Sequence, residues 1–586
     1  MGGIIGKLSF EHDETLALPA LEQMLDTLRH RGTTGRGLHV APGIALGWCG
    51  REPSPITTPP VARNGDQTVR VVADSALTNA RDLRRDLEQR GHRIHGRSDA
   101  AIIAFAYDEW GDACVEHLQG PFACGIWDER RERLLLARDS IGIRPLFFAV
   151  LHGHGVIFAS EIRALLQDPG VGREWCAEAI DAYLALGYVP APLTAYQRVS
   201  KLEPAQRLIV EGRRFHLDQY WDLPENDGST TADPAEALED ALRNAVRTQL
   251  GDPASRVILY SGGLASTALL ATTPAAVDPV FVASHDEETE IERSIAAARR
   301  LGTMPWVELA VPDVPAIAPQ LAACFDEPLA DPAAVTHFSA FAAASQYTTS
   351  ALAGYGAAAL WHEFPADGVG SGPPAVTLWD NTQRRELYTR GFAWQLRDAD
   401  PLARHRELLA TRTMGAIAER SRYVEARTTL PDSRLAFAER VALAAGIELH
   451  LPFLDRAVVE LACTIRRPVA RTPVASAGPL ATLLGRRLPF SLMPPALTRT
   501  RMAAPPWLAT AITSMVPSVL LGARFDGRGI VSRPVVRRLW EDHAAGRANH
   551  TQRLWSLLML EFWFREYVDG NAAADEPFEY AILRAA

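Results

Sequence analysis

Lysine is almost missing from this chain of 586 residues. Lysine and arginine together number 60, yet the only lysines are Lys7 and Lys201. Chemistry that needs a compact ammonium donor after position 201 is therefore excluded, since a guanidinium is a planar fork and not a point charge. An Arg- and Ala-rich composition also follows from a GC-rich genome, but its chemical consequence holds either way. Cysteine is scarce too. Cys49, Cys114, Cys124, Cys176, Cys324 and Cys463 are scattered with no C-x-x-C pair, which reads as free, partly buried thiols rather than disulfides or a zinc site. No apolar run reaches the ~18 to 20 residues of a membrane span. The start, Met-Gly-Gly-Ile-Ile-Gly-Lys, lacks a signal peptide's layout, so a cytoplasmic location is expected. The net charge of −10 gives nucleic acid and acidic membranes no basic surface to meet.

The content of 47% hydrophobic and 22% charged residues is that of a soluble globular protein. A length prior of ~150 residues per domain allows three or four domains, or two large ones. Up to about residue 210, short apolar runs recur between turns: "GIALGWCG", "VRVVAD", "PFACGIWD", "RLLLARD", "GVIFAS" and "RLIVEG". Helical patterns lie between them, as in "DLRRDLEQRG" and "AAIIAFAYDEWG", which suggests a layered α+β domain. The Pro-, Asp-, Gly- and Thr-rich piece "WDLPENDGSTTADPAEA" reads as a linker ending in a helix cap. Beyond it strands alternate with longer helices ("RVILYS", "PVFVASH", "WVELAV", "SALAGYG"), the rhythm of a parallel sheet. From about Thr377 the pattern is mostly helical. The expected division is 1–210, a linker at 211–236, a second domain at 237–570 and a tail at 571–586.

One stretch carries chemistry on its face. In "RVILYSGGLASTALLA" a strand runs into Ser261-Gly262-Gly263 and a helix of small residues follows. Glycines that permit close approach, Ser266 and Thr267, and a helix N-terminus make a nest for phosphate. Alone, the turn is a weak signal.

Many ordered segments make it a strong one. "RHRGTTGRG", "ARDSIGIRPLFFA", "GYVPAPLTAYQRVSKLEPAQRLIV", "LYSGGLAST", "DEPLADPAA", "GYGAAAL", "TTLPDSRLAFAERVALAAGIELHLPFLD" and "RLWSLLMLEFWFREYVD" together resemble the glutamine-dependent asparagine synthetase family, which includes β-lactam synthetase and lasso-peptide cyclase branches. The likeness runs from Met1 to about Asp569. It implies an N-terminal Ntn-hydrolase-like α+β sandwich, the glutaminase, and a C-terminal doubly wound domain of ATP-pyrophosphatase type, the synthetase. It also implies that the first domain frees ammonia from glutamine and that the second adenylates a carboxylate for attack by an amine.

Residue by residue, the family's machinery is thinned out. The glutaminase nucleophile is a cysteine at position 2, where a thiolate is paired with its own α-amine; here it is Gly2. The family's N-G-E-I-Y-N stretch corresponds to Asp74-Ser75-Ala76-Leu77-Thr78-Asn79, and a carboxylate at 74 opposes a developing oxyanion. Arg31 and Asp99 match ligand-binding positions, although Arg31 equally suits a structural ion pair. Mg²⁺ takes carboxylates and phosphate oxygens, and the two acids that the resemblance calls for fall on Ala265 and Ala358. The late lysine falls on Ala477 or Gly478; Arg486, Arg499 or Arg501 would have to offer the charge instead. The Ser261, Gly262, Gly263, Ser266 and Thr267 loop is thus expected to be a vestigial phosphate site, with no metal and no cofactor. ATP with Mg²⁺ is the alternative.

Three positions suggest something new. His362 and Glu363 stand where the family has glycines, and form either an acid–base pair or a solvated start of a helix, with Trp361 as an aromatic wall. Tyr355 stands where the β-lactam-forming branch has a catalytic tyrosine. Its glutamate partner falls on Ala436, with Glu439 close by, and a buried structural tyrosine is equally open. Asp326, Glu327, Glu290 and Asp455 match acidic family positions, Asp455 as a residue that holds the fold. The expected function is a member retasked in natural-product metabolism, acting on an amide or acyl substrate, small or carrier-bound, through Tyr355, His362 and Glu363. The alternatives are a non-catalytic pseudoenzyme that partners a biosynthetic protein, and an ATP-dependent synthetase with acids relocated to Asp286, Glu287 or Asp326. A homodimer follows by analogy with the family.

Overall fold

The computed structural model describes residues 2–11, 16–32, 34–51, 61–225, 231–250, 257–274, 277–283, 288–309, 313–361, 377–396, 399–412, 417–465, 478–494 and 506–570. It divides into two compact units, the first holding residues 1–175 and 191–222, the second 176–190 and 223–574.

The first unit contains β1 (Gly2–Ser9), β2 (Gly35–Ala41), β3 (Ile44–Gly50), β4 (Ala62–Arg63), β5 (Val69–Ser75), β6 (Phe122–Asp128), β7 (Arg133–Arg138), β8 (Phe147–Leu151), β9 (Gly155–Ala159), β10 (Ser200–Lys201), β11 (Gln206–Glu211) and β12 (Arg214–Gln219). They form two antiparallel sheets, ordered β10-β8-β9-β1-β3-β2 and β12-β11-β7-β6-β5-β4. Period-two alternation on β5 explains the layering. Val72 turns into the core between the sheets, with Ile4, Leu46, Leu136 and Phe158. Val69, Val71 and Ala73 turn outward under the helices Ala80–Gln89 and Asp99–Trp110. The helix Leu18–Asp26 packs on β1 and β3 at the opposite face. The result is the four-layer sandwich of the Ntn-hydrolase type. The end of β11 and all of β12 fall inside the stretch 211–236 expected to be a linker. Leu208 pairs with Leu217, and its side chain is buried.

In the second unit β13 (Val257–Tyr260), β14 (Asp278–Ala283), β15 (Trp306–Leu309), β16 (Ser350–Leu352) and β17 (Glu448–His450) form one sheet, ordered β15-β14-β13-β16-β17. Every pairing in it is parallel. β17 lies in the stretch that reads as helical, a three-residue edge strand too short to show a period. The order runs outward in both directions from β13 and β16. That places the switch of a doubly wound sheet between those two strands, where such folds hold ligands at the strands' carboxyl ends. No helix among the described residues is long and apolar enough to cross a membrane.

Candidate functional site

Two loops leave the sheet at this switch. After β13 comes Ser261-Gly262-Gly263, with Gly262 at φ +71°, a left-handed conformation that glycine adopts without strain. Side chains of the following helix Leu264–Thr272 then lock the loop. The Ser261 N–H donates to Ser266 Oγ at 3.2 Å, and Ser266 Oγ donates to the Gly263 carbonyl at 3.2 Å. Thr267 Oγ1 donates to the same carbonyl at 2.8 Å. All five loop residues singled out in the sequence therefore stand together. Their hydroxyls are spent on holding the loop's shape, and the backbone is left to face a ligand.

After β16 comes Gly354-Tyr355-Gly356. A Cβ built on Gly354 would lie 3.0 Å from the Ala265 side chain, so the two loops touch. Gly356, at φ +91°, is pressed against Leu454, where a Cβ would meet a methyl at 2.2 Å. Ala358 is exposed on the short helix Ala357–Trp361. The fold thus brings the two positions that the family resemblance assigns to metal-holding acids to one edge of the sheet, and neither carries an oxygen. Of the acids proposed as substitutes, only Asp326 lies among the described residues. Asp326 is buried and held by Arg440 at 2.8 Å, while Asp286 and Glu287 lie outside the described residues. Among the described residues, no group of three or more His, Cys, Asp or Glu could hold a metal. The described side chains do not fit Mg²⁺ at this loop.

Tyr355 sits in an aromatic cluster. Its ring meets His337 edge-on at 5.7 Å and Phe437 edge-on at 6.4 Å. No described residue hydrogen-bonds its hydroxyl. Burial raises the phenol's pKa, and the Asp331 carboxylate raises it further. His337 has a buried Nδ1 without a hydrogen-bond partner. Burial takes its pKa down to about 4, with Asp331 opposing and Arg434 assisting, so the imidazole is neutral at pH 7. Asp331 and Arg434 form an ion pair. Arg434 comes from a π-helical turn, Leu430–Leu435, a local widening that is frequent at functional sites. The glutamate partner sought for Tyr355 is not supplied by Glu439, a buried residue whose Oε2 lies 3.7 Å from Arg440 Nε. His362 and Glu363 lie outside the described residues. Trp361 is buried in the unit's interior. Asp455 caps the helix Arg456–Thr464 by accepting the Ala457 N–H at 3.2 Å, a fold-holding role. Glu290 pairs with Arg293 one turn along its helix.

His337, Asp331 and Arg434 are the members of this cluster that the sequence reading misses. A lone histidine in "AAVTHFSAFAAA" has no spacing to betray it, and Asp331 meets Arg434 across 103 residues of chain.

In the first unit, the position expected for the glutaminase nucleophile is filled. A Cβ on Gly2 would lie 2.8 Å from the Cys49 carbonyl and 2.8 Å from Trp48 Nε1. The Gly2 N–H donates to Asp74 at 2.9 Å, and Arg31 Nε donates to the Gly2 carbonyl at 2.8 Å. Arg31 is fully buried and bridges Glu161 at 2.6 Å and Asp74 at 3.3 Å. Glu161 also meets His30 at 2.8 Å and Arg163 at 2.9 Å. Burial pushes the Asp74 carboxyl up, but Arg144, Arg31 and the Gly2 N–H together hold it below the ordinary value. Asp99 accepts the Leu77 N–H at 2.8 Å. Cys49 stands across the strand pair from Gly3, where burial takes its thiol up to about 12, an unreactive state.

Comparison with known proteins agrees with this architecture. Residues 1–221 match a glutamine amidotransferase domain and residues 237–565 match asparagine synthase. Asparagine synthetase [glutamine-hydrolyzing] 3 of Bacillus subtilis is 28% identical over 325 residues, 53% of this chain and 52% of that protein. The chain thus spans about half the length of this relative. Asparagine synthetase [glutamine-hydrolyzing] 1 of the same organism is 22% identical over 549 residues, 85% of each chain. A putative asparagine synthetase [glutamine-hydrolyzing] of Mycobacterium bovis is 26% identical over 563 residues, 85% of this chain and 84% of its own. With the synthase match covering residues 237–565, more than half its length, the chain belongs to the asparagine synthase family.

Proposed function

We propose that this family member has given up glutamine hydrolysis and Mg-ATP adenylation and acts in specialised metabolism on an amide or acyl substrate, at the carboxyl edge of its parallel sheet. The observation that carries this reading is the contact between Ala265 and the Gly354 turn. The phosphate loop and its neighbour keep their places, while the oxygen ligands that would tie a metal to them are gone. The filled space around Gly2 supports the loss of the other half-reaction.

The Tyr355 hydroxyl is a donor with no competing partner among the described residues. A phenol that stays protonated can hydrogen-bond an acyl oxygen as negative charge develops on it. Neutral His337 lies against its ring, and because burial holds the imidazole uncharged it serves there as a hydrogen-bonding group and not as a proton carrier at pH 7. His362 and Glu363, a few residues beyond Tyr355, are proposed as further acid–base groups. No metal and no cofactor take part, and the substrate is a small or carrier-bound molecule.

A second reading, an ATP-dependent amide-forming synthetase, is favoured by the Bacillus and Mycobacterium relatives that match over 85% of the chain. Calorimetric titration with ATP, with and without Mg²⁺, separates the two. The first reading expects no binding at millimolar ATP and no glutamate release from glutamine. Submillimolar, magnesium-dependent binding overturns it in favour of the second.

A further inference from the structure

The segments that carry His337 and Arg434 meet twice. Asp331 stands just before the helix Ala333–Ala344, which carries His337. One of its oxygens accepts the Ala333 N–H at 3.0 Å, and the other is held by Arg434. Arg434 lies on the π-helical turn Leu430–Leu435, and Phe437 follows one turn later on the helix Ala436–Ala444. The Phe437 ring lies 5.1 Å from that of His337 and 6.4 Å from that of Tyr355. An ion pair and a ring contact thus join the same two segments, and Tyr355 lies against the ring contact.

A carboxylate beside a neutral imidazole favours its protonated form. The helix Val314–Cys324, packed on the helix of His337, has no charged residue. On the helix Ala436–Ala444, Arg440 is taken by Asp326 at 2.8 Å, with Glu439 at 3.7 Å from the same guanidinium. β14 packs there too, and its acid, Asp278, is its first residue. Asp331 acts most strongly on Arg434, with Glu425, Tyr355 and Tyr188 after it. Burial keeps the imidazole uncharged, Asp331 opposes this and Arg434 assists it. With both Asp331 oxygens spent on hydrogen bonds, burial prevails.

We propose that Arg434 is a positioning residue of the Tyr355 site: by occupying Asp331 it withholds that carboxylate from His337, so that the imidazole against the Tyr355 ring stays neutral. This rests on the reading of Tyr355 as the group that meets the substrate's acyl oxygen. A cation against the phenol favours phenolate, and phenolate donates no hydrogen bond. Arg434 therefore serves the reaction without touching the substrate.

The test reads His337 in the full chain by NMR titration of ring-labelled histidine, its signal assigned by its loss in His337→Gln. In wild type the imidazole should stay neutral down to about pH 4. In Arg434→Met it should protonate about one pH unit higher or more. Arg434→Gln keeps a hydrogen bond for Asp331 but no charge, and should rise in the same direction. The Arg434 side chain is about half exposed, so at least one of the two variants should fold. Arg434→Lys keeps the charge and should titrate near wild type. Asp331→Asn, whose amide oxygen still accepts the Ala333 N–H, should cancel the rise when combined with either neutral variant. The proposal is overturned if the neutral variants titrate like wild type, if Arg434→Lys shows the same rise, or if the rise survives Asp331→Asn. No substrate is used, so failure here leaves the acyl chemistry of Tyr355 standing, and failure of that chemistry leaves the titration standing.

Discussion

Asp74 accepts the backbone N–H of Gly2 at 2.9 Å while its other oxygen meets Arg31 at 3.3 Å. The carboxylate thereby fixes the first strand of the molecule to a buried ion network. Replacing Gly2 by Cys should not restore glutamine hydrolysis. The new Cβ would press on the Cys49 carbonyl and the Trp48 indole, an overpacking cost of roughly 1–3 kcal/mol. The expected result is a lower Tm and no glutamate release. Glutamate release by Gly2→Cys at a wild-type Tm contradicts a filled pocket.

The same network gives Asp74 a predictable pH signature. Its folded pKa lies below the unfolded one, near 3.9, so its contribution is complete above the unfolded value and is lost as pH falls through the folded value. Asp74→Asn keeps the shape and leaves Arg31 and Arg144 short of a counter-charge. The expected loss at pH 7 is about 3–5 kcal/mol, shrinking as the acid limb is approached. Denaturant melts of the two proteins at pH 7 and pH 3.5 measure it, and a difference that does not shrink at pH 3.5 contradicts a folded value below the unfolded one.

His405 works over a higher window. It is 2% exposed, and Nε2 faces Tyr188 and Thr428 at 3.2 and 3.3 Å. Burial, with Arg404 assisting, takes its pKa down to about 4. The unfolded chain therefore binds this proton first, and stability is lost as pH falls from about 6.5 toward 4, by about 3 kcal/mol at most. His405→Gln should flatten that part of the stability profile. An unchanged slope between pH 6.5 and 4 would show that His405 charges within the fold.

Much of the fold is legible in the sequence, and the parts that are not have a physical cause. The strands of "VRVVAD" and "PFACGIWD" show themselves because β5 and β6 each bury both faces. The Ser261–Gly263 turn shows itself because strand, glycines and helix are contiguous. His337 and Tyr355 meet only because separate elements pack, and local patterning carries no trace of that. The same holds for Arg434, whose partner Asp331 is brought to it by tertiary structure. The expected boundary at 211 cuts the β11–β12 hairpin because β12 is largely exposed and shows no apolar run, while the hairpin needs only one covered face.

Tyr355→Phe separates chemistry from packing. The hydroxyl has no described hydrogen-bond partner and the ring keeps its contacts with His337 and Phe437, so stability should stay within about 0.5 kcal/mol of wild type. Turnover of a responsive amide or acyl substrate should fall by about 100-fold or more. Equal turnover in the variant would remove Tyr355 from the chemistry, whatever the substrate.

The two alanines at the sheet's switch allow a restoration experiment. Ala265→Asp and Ala358→Asp together place carboxylates on two loops that already touch, beside a phosphate loop whose shape is held by Ser266 and Thr267. Hard oxygen ligands plus nucleotide phosphates are what Mg²⁺ selects. The double variant should therefore bind ATP in a magnesium-dependent way more tightly than the parent, as read by calorimetry. Binding should not bring pyrophosphate release with it. Charge that builds on the transferred group still has no lysine to meet, since the last lysine of the chain is Lys201 and a guanidinium cannot take up the same point geometry. Magnesium-dependent binding without turnover fits a phosphate cradle whose metal ligands alone were lost. No binding would mean that the loop itself has closed, and turnover would mean that an arginine serves after all.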